Sequence, residues 1–237
     1  LSFLYDDFNE MLSIDNGIEI EGSAPVTSAK FDRTEVVPGA FLEYAYDNLD
    51  NLSLIAGVRV DQHSLFGTIF TPRLHVKYNL TPTTTLRASA GKGTRVANIL
   101  SENTGVLASA RTFVFSDLQT NKAYGFKPDV AWNYGLNFSQ DFTLDYRSGS
   151  FTIDYFFTDF QNQVVLDLDN TAREARFFGL NGKSYSHSLQ FQVDYELMRR
   201  FDLRMAYRWL NVKTDYAEGL LTKPLIPEHR AFVNLAY

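Results

Sequence analysis

The chain has no cysteine among its 237 residues. That excludes disulfides, thiolate nucleophiles and zinc–thiolate sites together. It has no run of about 18 apolar residues, and so no candidate transmembrane helix. Positive charge is scarce: 22 Lys and Arg stand against 28 Asp and Glu, a net charge of −6 that argues against a nucleic-acid partner. The histidines, His63, His75, His187 and His229, are too scattered for a metal-ligand motif. There is no Gly-x-Ser-x-Gly elbow. Lys92-Gly93-Thr94 lacks the upstream glycine of a phosphate loop. The acidic groups Asp6, Asp7 and Glu10, and Asp47 and Asp50, lack EF-hand spacing and read as solvated turns. Nothing here points to an enzyme, a cofactor or a resident metal. The chain opens on Leu1 with no basic-then-apolar leader, which suits either a removed signal or an excised piece.

What the chain does have is alternation. Trp132, Tyr134, Leu136 and Phe138 are interleaved with Asn133, Gly135, Asn137 and Ser139. Leu189, Phe191, Val193 and Tyr195 alternate with Gln190, Gln192 and Asp194, and Leu203, Met205, Tyr207 and Trp209 with Arg204, Ala206 and Arg208. A period of two puts each set on its own face of a strand. One face is apolar and strongly aromatic; the other is polar and charged. Over long strands this predicts an all-β fold, an antiparallel transmembrane β-barrel. Averaged hydropathy does not expose such a fold, because only every second residue meets lipid. A soluble sandwich or barrel also alternates, but its strands are usually about 5–6 residues long. These run to roughly twice that or more, with Tyr46, Tyr78, Tyr195 and Trp209 at strand ends as interface girdles require.

About nine or ten strands are expected. The first is a stub at 2–5, followed by an acidic stretch at 6–10 and a polar loop to about Arg33. Strands follow at 35–46, 52–61, 71–79 and 84–93. The pattern breaks over 94–129 and returns at 130–139, 150–165, 178–197, 201–213 and 230–237. Short connections near 47–51, 80–83, 140–149 and 198–200 alternate with longer ones near 94–129, 166–177 and 214–229, with a shorter one near 62–70. Outer-membrane barrels have short periplasmic turns and longer extracellular loops, which places 94–129 outside the cell. Leu74, Val76, Leu136, Phe138, Leu189, Phe191, Leu203 and Met205 are expected to face lipid. Arg59, Arg73, Lys77, Arg87 and Lys92, with Arg204 and Arg208, are expected on the lumenal face, where such charges can attract anionic solutes or, the reading preferred, pair with carboxylates such as Glu43, Asp61 and Asp194 or with a plug. His75 belongs to the same wall. Gly91 and Gly93 read as places where another backbone or a plug comes close.

Several segments together resemble the barrel of TonB-dependent outer-membrane receptors, particularly those of Bacteroidota. They are "EVVPGAFLEYAYDNLDNLSLIAGVRVD" at 35–61, "FTPRLHVKYNLTPTTTLRASAGKGTR" at 70–95, "GFKPDVAWNYGLNFSQDF" at 125–142, "SFTIDYFFTDFQNQVV" at 150–165 and "LNGKSYSHSLQFQVDYEL" at 180–197. The steps Gly57-Val58-Arg59, Thr71-Pro72-Arg73, the run Arg87 to Arg95, and Phe126-Lys127-Pro128-Asp129 fall in the family's order and spacing. The resemblance implies localisation in the bacterial outer membrane, contact with outer-membrane lipid, and TonB-dependent uptake of a scarce nutrient. That nutrient would be a ferric siderophore, haem, cobalamin, metal or glycan. It also implies that 1–237 is part of one barrel domain, with the plug, its TonB box and further C-terminal strands lying outside it. Alternatives are a non-transporting scaffold or adhesion barrel and a soluble β-rich binding protein.

Long structured loops usually carry binding. The 94–129 loop mixes Phe113, Phe115, Tyr124 and Phe126 with Arg111, Asn121 and Lys122, enough apolar surface to fold over a barrel mouth. The 166–177 loop adds Arg173, Glu174 and Arg176. Arg111, Phe113, Phe115, Tyr124 and Arg176 are the expected contacts for a small nutrient ligand.

Overall fold

A computed structural model describes residues 1–20, 23–48, 50–116 and 123–237. Asn121 and Lys122 lie outside the described residues. Ten long strands form the wall: β1 (Ser2–Ile20), β2 (Val26–Asp47), β3 (Leu52–His63), β4 (Gly67–Thr81), β5 (Thr84–Arg95), β7 (Asp129–Leu144), β8 (Arg147–Asn162), β11 (Ser184–Met198), β12 (Phe201–Tyr216) and β14 (His229–Ala236). Four short strands, β6 (Thr112–Phe115), β9 (Val164–Asp167), β10 (Glu174–Gly179) and β13 (Gly219–Thr222), lie in the longer connections, with two single-turn helices, α1 (Ile99–Glu102) and α2 (Thr104–Leu107). The expectation of nine or ten strands therefore counts the wall and misses the loop strands. Four to six residues with no lipid-facing set carry little periodicity.

Each wall strand pairs antiparallel with its neighbours, in the order β14-β12-β11-β8-β7-β5-β4-β3-β2-β1. Register makes the two faces plain. Tyr78, Leu86, Phe138, Ile153, Phe191, Tyr207 and Ala231 form one continuous cross-strand row. One residue along, Lys77, Arg87, Asn137, Asp154, Gln190, Arg208 and Arg230 form the next. Directly opposed residues share a face, so the first row is the apolar outer face and the second the polar inner one. All eight residues expected toward lipid fall on the apolar side. Lys92 does not fall on the inner side: it pairs with Trp132, on the outer face. Arg87 and Lys92 are five residues apart, an odd number, and an unbroken strand cannot show both on one side.

The outer face carries aromatics toward both ends. Tyr134, Phe157 and His187 stack in sequence, with centroids 6.1 and 4.8 Å apart. At the other end Phe142 stacks on Tyr195 at 6.2 Å. Tyr134 and Phe142 are separated by eight residues of one strand, roughly 20 Å of height at about 3.3 Å per residue and a tilt near 40°. That is close to the ~25 Å apolar band of membrane barrels.

The turns at one end are tight. Asn48 Oδ1 accepts the N–H groups of Asp50, Asn51 and Leu52 at 3.1, 3.0 and 2.9 Å. Asp145 and Tyr146, with φ of 51° and 58°, make a two-residue hairpin turn whose twist matches its strands. The connection expected over 140–149 is thus two residues long. Pro72 costs little, because the β4–β5 ladder ends at Arg73–Gly91 and no N–H is needed beyond it on that side. Gly91 and Gly93 crowd no neighbouring backbone: a Cβ at Gly91 would make ordinary contacts, and one at Gly93 would meet nothing within 4 Å.

The largest departure from expectation is β1–β2. In place of a stub and a loop, Ser2–Ser13 pairs residue for residue with 28–39. The segment lacks the membrane signature because its inner side does something else. Phe8, Glu10 and Leu12 oppose Arg33, Phe31 and Ala29, and this half of the hairpin packs against loops rather than lipid.

Candidate functional site

The site is built where the long connections meet. The β1–β2 hairpin bends after Ser13, where its register shifts, and Gly17 supplies the positive φ of 91° that the bend requires. The bend carries Ile18–Ile20 to β6, pairing in parallel with Phe113–Phe115. β6 pairs in parallel with β10, and β10 antiparallel with β9. The result is a small mixed sheet at the loop end of the wall, made from three connections distant in sequence.

It has its own apolar core: Leu12, Ile18, Phe31, Ala97, Ile99, Phe113, Phe115, Tyr124, Phe126, Ala175 and Phe177. Phe115 stacks on Phe177 at 5.1 Å and Phe31 meets Tyr124 at 5.0 Å. Of the five residues expected at a ligand, three are therefore sealed: Phe113, Phe115 and Tyr124 are no more than 1% exposed. The other two lie nearby. Arg111 Nη1 donates to the carbonyls of Leu168, Thr171 and Glu174 at 2.6, 3.0 and 2.8 Å, tying the 168–174 segment to β6. Arg176 pairs with Glu174 at 3.0 Å and is half-exposed.

A charged network lies under this core. Arg33 Nε donates to Glu35 Oε1 at 2.8 Å, and its guanidinium stacks 3.9 Å over Phe8. His63 Nδ1 accepts the Leu65 N–H at 3.1 Å, and Nε2 faces Glu35 at 3.6 Å. The Tyr124 hydroxyl donates to Glu10 and sits 2.8 Å from Asn98 Oδ1. Burial, then the Glu10 carboxylate, push the Tyr124 phenol well above its ordinary pKa. A buried charge survives only when paired and hydrogen-bonded. Here the pairing joins the hairpin, the β3–β4 turn and the 94–129 loop. Sequence spacing gives no sign of it, since Tyr124 and Glu10 are 114 residues apart.

Two recesses open beside the sheet. One of about 360 Å³ is lined by Val114, Asp167, Arg176, Asn181, Asp215 and Tyr216. The other, about 290 Å³, is lined by Arg95, Glu102, Asp129, Val165, Tyr216 and Lys223. Arg95 is held there by Asp129 at 2.8 Å and Glu102 at 3.1 Å. Recess residues outside the expected set, such as Tyr216 and Lys223, sit at the ends of distant strands and carry no motif. Among the described residues, no group of three or more His, Cys, Asp or Glu is placed to hold a metal ion.

Below the mouth, three of the lumenal cations find the expected carboxylates, whereas Arg87 and Arg208 bond the neutral Asn137 and Ser188 instead. Arg59 bonds Asp61 at 2.6 Å, Arg204 bonds Asp194 at 2.5 Å, and Arg73 bonds Glu43 across β3. The last is possible because Gly57 lies between them in the row: a Cβ there would meet Arg73 Nε at 2.9 Å.

A wall of long, two-faced antiparallel strands with tight turns at one end and folded loops at the other defines a barrel of the outer-membrane type. The whole sequence, residues 2–237, matches the family model described as TonB dependent receptor-like, beta-barrel, and the chain belongs to that family. It is a family of receptors and transporters rather than enzymes. No curated protein sequence matches the chain. Solved structures with this fold include a point mutant of the ferric enterobactin receptor of Pseudomonas aeruginosa in complex with enterobactin, at 18% identity and TM-score 0.62, covering 94% of this chain and 32% of that one. The ferripyoverdine receptor of the outer membrane of Pseudomonas aeruginosa, bound to ferripyoverdine, shares 17% identity at TM-score 0.57, covering 90% of this chain and 27% of that one. The siderophore receptor PirA from the same organism shares 15% at TM-score 0.57, covering 88% of this chain and 42% of that one. The chain thus spans well under half the length of these relatives.

Proposed function

We propose that this chain is wall and outer loops of a Bacteroidota-type outer-membrane receptor that takes up a scarce nutrient, with TonB engaging a plug supplied by sequence outside 1–237. The observation that carries the reading is the folded loop assembly at one end of a wall that is apolar outside and charged inside. A barrel serving only as an anchor needs no cored assembly over its mouth. The two recesses supply apolar surface beside charged groups of both signs, the mixture a small polar nutrient calls for. In this reading Phe113, Phe115 and Tyr124 hold the assembly in shape. Direct contact falls to Arg176 and Tyr216 on the wall of one recess and to Arg95 and Lys223 on the wall of the other, while Arg111 fixes the loop that carries Arg176. The fold similarity to siderophore receptors makes an iron chelate the first ligand to try.

The test is uptake by the full-length receptor after replacing 97–126 with a short Gly/Ser linker. The expected result is loss of uptake with a barrel that still shows heat-modifiable migration. Uptake at the parental rate would remove the loop from the site. Arg176→Ala with Lys223→Ala is the milder arm, expected to raise the concentration needed for half-maximal uptake while leaving the loops folded.

A further inference from the structure

The lumenal ion pairs leave an exception. Arg59, Arg73, Arg95 and Arg204 each have a carboxylate within reach. Among the described residues Lys77, Arg87, Arg208 and Arg230 do not, and all four lie on the single polar row already described. Lys77 and Arg87 are directly opposed, an arrangement of like charges that is unfavourable without an anion between them. Arg87 donates only to Asn137, at 2.8 Å, and Arg208 to Ser188 at 3.1 Å. The row holds one carboxylate between β4 and β14, Asp154, and Asn137 donates to it at 2.7 Å.

The flanking rows add one carboxylate, Glu228, opposite Leu210 at the loop end, and it accepts from Trp209 Nε1 at 3.0 Å rather than pairing with Arg208 or Arg230. Ser89, Gly135, Phe156 and Ser188 run along one side, and Thr85, Ser139, Thr152 and Gln192 along the other. They are small or neutral, and beside Lys77 and Arg87 they leave a recess of about 470 Å³ open to the lumen. The row also changes height. Lys77 lies near the turn end of β4, four residues before Thr81, and Arg230 is the second residue of β14 at the loop end. A row perpendicular to tilted strands must climb. Seven strands at about 4.8 Å make a path of roughly 29 Å.

From this geometry we propose that Arg230, Arg208, Arg87 and Lys77 form an inclined anion track along the lumenal wall. It leads a polyanionic solute, one bearing several carboxylates or phosphates, from the loop end toward the turn end. This deepens the uptake reading by naming the charge class of the cargo. Fixed cations on a low-dielectric wall concentrate anions and pass them between adjacent sites. Carboxylates pinned to the neighbouring arginines do not compete for the track.

The experiment uses the full-length receptor in detergent and inorganic pyrophosphate as the probe, followed by titration calorimetry at low and high salt. Wild-type protein is expected to bind pyrophosphate, with affinity falling as salt rises. The variant K77Q/R87Q/R208Q/R230Q is expected to bind it at least about tenfold more weakly. The variant R204Q/D194N, which removes a paired arginine from the same wall, is expected to stay within about twofold. If the fourfold variant does not fold, K77Q/R87Q carries the test alone, with an intermediate loss expected. No binding by wild type, equal binding by the track variants, or equal affinity for the cation spermidine would each overturn the proposal. The measurement needs no uptake. A receptor that binds anions but carries no nutrient keeps the track and loses the uptake reading.

Discussion

Tyr124 shows how much one side chain holds at the loop end. Its ring fills the core against Phe31, and its hydroxyl reaches Glu10 and Asn98. Tyr124→Phe keeps the ring and leaves Glu10 with Arg33 alone, 3.7 Å away, and should cost about 1.5–3 kcal/mol, the range for a hydrogen bond to a charged group. The loss should appear as faster amide exchange in 97–126 and in the hairpin tip, with wall exchange unchanged. The phenol also sets a pH dependence. Its folded pKa is raised, so its contribution is complete below the ordinary tyrosine value near 10 and is lost as pH rises toward the folded value. Loop protection in wild type should therefore fall at strongly alkaline pH, while Tyr124→Phe shows no such step. Phe115→Ala should be harsher, about 3–5 kcal/mol, since it opens a cavity where Phe31, Phe113 and Phe177 meet.

For single strands the governing variable is parity. Leu136 and Asn137 are neighbours on β7, yet one belongs to the apolar face and the other to the charged row. Arginine at Leu136 should cost about 2–4 kcal/mol for insertion into lipid vesicles, and arginine at Asn137 should cost little. Equal costs would place both faces in water. Cysteine at the same positions gives a second readout: a lipid-soluble maleimide should label position 136 and an aqueous one position 137. Lys92, on the outer face beside Trp132, should behave as an interface residue, its stem along apolar surface and its amine in the headgroups. Replacing it with leucine should change insertion by well under the cost of a buried charge.

In the molecule taken whole, the feature to explain is the open arc. β14 pairs with β12, and among the described residues β1 meets a second partner only at 18–20, through β6. Lipid does not tolerate unpaired backbone, so both edges need partners in a membrane. We expect further strands of the receptor to supply them. Residues 1–237 expressed alone, in cells lacking the receptor, should then fail to support TonB-dependent growth on the nutrient. Growth at the wild-type rate would mean that this segment closes and transports unaided.

The sequence by itself determined the wall. A period-two pattern needs only local order to be read, and Leu136 or Phe191 can be assigned a face without knowing any partner strand. The pairings of Arg59 with Asp61 and Arg204 with Asp194 were legible for related reasons: residues two apart on one strand share a face, and neighbouring strands in a meander bring adjacent sequence together. The loop end was not legible. A phenylalanine in an aperiodic segment looks the same whether it meets a ligand or a core, and Phe113 and Phe115 meet a core. Glu10 and Tyr124, like β6 and β10, find each other across many intervening residues, and no local pattern encodes such contacts. The polar row was visible only as scattered residues until register aligned Lys77 with Arg230. Side-chain alternation fixes which face a residue takes; only the pairing of strands decides which residues share a row, and so where charge accumulates.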